Sequence, residues 1–133
     1  MKDWTLAWIG AGALGVSAWT CDPMLLADED LARRFARTLE ASCRRSGVPL
    51  LAVSVLPGSV HALLGRGGRV LPTIPFGLAK AAVTRTSSFS RTWRSRVRVL
   101  PIAASRIPDL VDRLATTGVL ASCRDRQTRV SEA

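Results

Sequence analysis

The chain holds a single histidine, His61, three cysteines (Cys21, Cys43 and Cys123) and no tyrosine. His61 lies in an apolar run, Ser59 to Leu64 (SVHALL), that reads as a strand. On a strand the period of two puts Ser59 and His61 on the same face. An imidazole there can shuttle a proton or ligate a metal. One neutral imidazole is nevertheless a poor site for Mg²⁺, which prefers oxygen ligands. Ser59, Thr84, Thr86 and Ser87 carry hydroxyls, but the sequence pairs no base with any of them. His61 therefore reads as a structural strand histidine, at most an incomplete divalent-metal site, and no cofactor is expected. The three cysteines are widely spaced and form no CxxC, which argues against a disulfide framework and a Cys-rich zinc site. A reduced, cytoplasmic setting fits them best. The absence of tyrosine excludes tyrosine as a nucleophile.

Charge is the strongest signal outside that motif. The 133 residues carry 19 Lys plus Arg against 10 Asp plus Glu, a net charge of +9. Only Lys2 and Lys80 are lysines. From Arg33 to Arg106 there are 14 basic residues and one acid, Glu40, so this stretch is +13 and its flanks together are −4. A basic middle between acidic flanks predicts a surface for a polyanion. Arginine suits forked hydrogen bonds to phosphate and stacking on bases.

Two amino-terminal features imitate sites. Residues 4–20 are nearly free of charge, but Lys2 is offset by Asp3 and Asp22-Pro23 ends the run. That is marginal for a membrane span, and no membrane partner is expected. Gly10 to Gly15 (GAGALG) matches G-x-G-x-x-G after a strand-like run. No second strand ending in an acid follows at the spacing of a dinucleotide site, so the match carries little weight.

These residues need elements to hold them. Trp4–Ile9 reads as a strand followed by a glycine-rich loop. Residues 28–46 read as a helix capped by Asp28, with Leu31, Phe35 and Leu39 on one face and Gly47 as its stop. Pro49–Leu56 and Ser59–Leu64 flank the Pro57-Gly58 turn and predict a hairpin. Gly65–Gly68 (GRGG) reads as a basic loop, and a second helix starts near Pro75. Arg94–Val99 alternates as a strand, with Arg94, Arg96 and Arg98 on one face. A last helix spans about Ile107–Thr117. The order β-α-β-β-α-β-α predicts an α+β fold, a ferredoxin-like split βαβ with a four-stranded antiparallel sheet and helices on one face. The apolar share of 47% suits a single folded domain over residues 1–123, with 124–133 as a polar tail.

On these residues the chain resembles a known family. Pro57-Gly-Ser-Val-His-Ala-Leu-Leu64 is similar to the P-N-H-V-H-L-L motif of single-tyrosine HUH transposases, especially the REP-associated ones. Leu26-Ala27-Asp28, Ser46–Leu56, Leu78–Arg85, Trp93–Arg96 and Thr117–Leu120 resemble further segments of that family in the same order. In the family, two strand histidines hold a divalent metal and a helix tyrosine attacks the DNA. The resemblance puts Ser59 at the first histidine and Val83 at the tyrosine, leaving only His61 of the three. It thus implies ancestry and fold without the chemistry, a pseudoenzyme with no catalytic residues.

The resulting expectation is a nucleic-acid-binding protein derived from an HUH transposase. It is expected to bind single-stranded or hairpin DNA without cutting it, in the nucleoid-associated cytoplasm, with RNA and a homodimer as further partners. The expected contacts are Arg66 and Arg69 in the glycine-rich loop, Lys80 and Arg85 on the second helix, and Trp93, Arg94, Arg96 and Arg98 on the last strand. The alternatives are residual metal-dependent nicking, which would make it an enzyme in DNA transposition, and a protein-binding assembly module.

Overall fold

The computed structural model describes residues 12–65, 70–87 and 92–116, and the backbone of 120–123. Its elements in chain order are β1 (Ala13–Thr20), α1 (Glu29–Ser46), β2 (Leu50–Leu56), β3 (Ser59–Gly65), α2 (Thr73–Thr86), β4 (Trp93–Ile102), α3 (Ile107–Ala115) and β5 (Leu120–Cys123). The sheet order is β4-β1-β3-β2-β5, and every neighbouring pair is antiparallel. The expected α+β architecture of four antiparallel strands and three helices is present, extended at one edge by the short β5.

The sequence explains α1 most directly. The Asp28 carboxylate accepts hydrogen bonds from the N–H groups of Asp30 and Leu31, at 2.9 and 3.4 Å, and so satisfies two donors at the open end of the helix. At the other end Gly47 turns back with φ 73°, a left-handed conformation that glycine adopts without a Cβ clash. Val48 N–H then reaches the Cys43 carbonyl at 2.9 Å. Leu31, Phe35 and Leu39 are buried in register with the helical period.

Alternation along the strands divides the sheet into two faces. Leu14, Val16, Val53, Val55, Val60 and Leu64 point one way and pack against α1 and α2. There Phe35 of α1 meets Phe76 of α2 edge to face, with ring centroids 5.4 Å apart at 79°. Ala13, Ala52, Leu63 and Ile102 point the other way, where Ile107, Leu110, Val111 and Leu114 of α3 cover them. Thus the expectation of all helices on one face holds for α1 and α2 only, and α3 lies at one end of the opposite face, where Ala13, Ala52, Leu63 and Ile102 give it an apolar patch to cover. Burial pushes the Cys43 thiol in the α1 core up to about 11.

The amino-terminal expectation changes. The strand read at Trp4–Ile9 lies outside the described residues. The glycine-rich loop read after it is partly strand, because β1 begins at Ala13 and includes Gly15. β1 is interior to the sheet, paired with β3 on one side and β4 on the other. Leu14, Val16 and Ala18 supply its buried face, so tertiary pairing prevails over a local loop signal. No described helix is long and apolar enough to cross a membrane.

Candidate nucleic-acid interface

The hairpin of β2 and β3 sets the position of His61. Register places Ser17 of β1 opposite both His61 of β3 and Arg98 of β4, and His61 opposite Ser54 of β2. Arg98, Ser17, His61 and Ser54 therefore form a row across four strands, on the face opposite α1 and α2. Ser17 Oγ is 2.8 Å from His61 Nδ1, and Ser59 Oγ is 3.0 Å from Nε2. A neutral imidazole has one N–H and one lone pair, so one serine accepts and the other donates. Trp19 meets the imidazole edge-on, with centroids 6.2 Å apart at 85°. Burial lowers the His61 pKa below its ordinary value, and the Arg98 charge lowers it further.

With both ring nitrogens occupied, His61 cannot act as a base or ligand unless a serine gives way. The single-tyrosine family implies a divalent metal at this place. The donor set here is one imidazole between two neutral hydroxyls with a guanidinium nearby, which does not fit a divalent cation. Among the described residues no three His, Cys, Asp or Glu side chains cluster as metal ligands.

A second feature adjoins the row. Ala18 pairs with Val97 and Thr20 with Trp93, so Trp19 alone on β1 faces Arg94, Ser95 and Arg96 on β4. This is a bulge with two extra residues on the edge strand, and bulges redirect side chains in this way. Beside it opens a cleft of about 740 Å³ lined by Trp19, Cys21, Arg94, Ser95 and Arg96. Arg94, Arg96 and Arg98 are all exposed.

The residues expected to bind divide into separate groups. Arg94, Arg96 and Arg98 gather on β4 near His61 and Ser59. Lys80, Val83 and Arg85 lie on α2, against the other face of the sheet. Val83 is fully buried in the α1–α2 core, so the structure does not bring the expected tyrosine position to Ser59 and His61. Trp93 is no free stacking platform either. Its Nε1–H donates to the Lys80 carbonyl at 3.0 Å, its ring lies 6.0 Å from Phe35, and Lys80 Nζ sits 5.5 Å from its centroid. Trp93 thus joins β4 to α2, and partial burial there lowers the Lys80 pKa. Arg66 and Arg69 lie outside the described residues.

Sequence reasoning missed Ser17, Trp19 and Cys21. The signal was the alternation Gly15, Ser17, Trp19 against Leu14, Val16, Ala18, which the glycine motif and the low charge of residues 4–20 obscured.

Neither the protein-family models nor the curated proteins searched contain a match to the chain. Solved structures do match. A REP-associated tyrosine transposase, determined bound to a REP hairpin, superimposes with a TM-score of 0.64 at 15% identity over 79% of this chain. This chain spans 65% of that protein's length. A candidate transposase of Deinococcus radiodurans R1 superimposes with a TM-score of 0.54 at 19% identity, covering 76% of this chain and 88% of the other. The protein resembles single-tyrosine transposases and shares their fold.

Proposed function

We propose that the protein binds single-stranded or hairpin DNA on the open face of its sheet and does not cleave it. The carrying observation is the coincidence of Arg94, Arg96 and Arg98 with Trp19 on one exposed face beside His61. Cations there can neutralise phosphates, and an aromatic ring can take a base. The hairpin held by the neighbouring transposase supports DNA as the ligand class. The lack of cleavage is supported by the composition, which has no tyrosine, and by the serine-clamped His61. A nucleoid-associated location follows from the same reading.

The test uses the full chain with a labelled hairpin carrying a single-stranded extension, with and without Mn²⁺, across a salt series. Retention that falls with salt, with the strand intact in both conditions, is expected. Metal-dependent cleavage would assign the nicking activity instead. Absence of retention at low salt would remove DNA as the partner.

A further inference from the structure

The DNA-binding reading gives the arginines and Trp19 general roles, and the cleft beside the bulge gathers Trp19, Arg94 and Arg96 round one space. Trp19 is half-buried, so its indole is held in place, and it lines an open space. The ladder on either side is regular at Ala18–Val97 and Thr20–Trp93, which anchors both ends of the bulge. Two backbone bonds fix the floor: Cys21 N–H to the Thr92 carbonyl and Thr20 N–H to the Gly58 carbonyl, both 3.0 Å. The two extra residues of β4 carry Arg94 and Arg96 past Trp19, and no acid is among the described residues that line the space. A volume of about 740 Å³ falls within the roughly 300–1,000 Å³ of small-ligand sites.

We propose that this cleft is a nucleotide subsite for single-stranded DNA, with one base on the Trp19 indole and its flanking phosphates on Arg94 and Arg96. The inference rests on the DNA-binding reading and adds the unit that is recognised. An indole with two guanidiniums matches a base joined to phosphates better than an isolated anion, which needs no aromatic wall. The base has to be unstacked to enter, so a single strand is selected over a duplex. The His61 edge contact fixes the plane of the indole.

Two fluorescent strands of about a dozen nucleotides test this, within the site sizes of single-strand binders. One is oligothymidylate, and the other has the same phosphates with abasic sugars. The wild-type chain is expected to prefer the thymidylate by about 5- to 150-fold, the worth of one stacked base. Trp19→Ala should collapse that preference while leaving abasic binding nearly unchanged, and Trp19→Phe should retain most of it. Arg94→Ala with Arg96→Ala should weaken both strands and reduce the salt slope by about 1.4, at about 0.7 per phosphate contact. Both arginines are exposed, so this variant tests the site even where Trp19→Ala fails to fold. A preference unchanged in Trp19→Phe and Trp19→Ala, or a salt slope unchanged in the arginine variant, overturns the subsite while leaving DNA binding intact. If the wild-type chain retains neither strand at low salt, the DNA-binding reading fails and the subsite with it.

Discussion

The surroundings of His61 decide which form its imidazole favours. Two serine hydroxyls satisfy the neutral ring, while burial and Arg98 disfavour the cation. A depressed histidine pKa means that the unfolded chain takes up the proton first as the pH falls. The stabilisation is therefore fully present above the unfolded value of about 6.5 and is lost as the pH drops through the lower folded value. Urea unfolding between about pH 7.5 and pH 5 should show stability declining in the wild type and a shallower decline in His61→Asn. Equal pH dependence in both proteins would show that His61 is not the group that titrates.

At the scale of the element, α1 illustrates how local chemistry is readable. Its cap, its apolar face and its glycine stop all stand in the sequence within a few residues of one another, and each acts where expected. What the helical period does not reveal is the cost at Ser42. Its hydroxyl is buried and has no hydrogen-bond partner among the described residues. Such an orphan is unfavourable, and alanine is the better helix former. Ser42→Ala should therefore stabilise the protein by about 1 kcal/mol, read as a raised urea midpoint at constant slope. A lowered midpoint would mean that the hydroxyl has a partner. The bulge in β4 was less legible. The alternation of Arg94, Arg96 and Arg98 predicts one continuous face, but pairing with β1 leaves two extra residues on β4 between Trp93 and Val97. That mismatch arises only when two distant strands meet.

At the scale of the molecule, topology separates two positions that linear resemblance puts together. Ser59 and His61 sit on one face of the sheet, and Val83 of α2 is buried in the core on the other face. No rotamer of a residue at 83 crosses a hydrogen-bonded sheet. The double variant Ser59→His with Val83→Tyr should consequently leave single-stranded DNA uncut in Mn²⁺, even if the two histidines bind metal. It should also lose stability by about 1–3 kcal/mol, because a tyrosine overpacks a fully buried valine site. A covalent protein–DNA product on a denaturing gel would show that α2 can leave the core.

The sequence by itself determined the α1 helix, the β2–β3 hairpin with His61, the basic middle and the absence of tyrosine. Each of these depends on near neighbours or on composition, where the helical period, turn chemistry and charge act directly. Only the tertiary structure decided which face each element covers. It placed β1 inside the sheet although Gly15 and the glycines before it resemble a loop, and it used Trp93 as a strut against α2 where a nucleic-acid contact was expected. It also brought Ser17 and Trp19 to His61 across 44 and 42 positions of chain. The reason is that strand pairing and sheet faces are long-range choices, made by the burial of apolar surface over the whole chain.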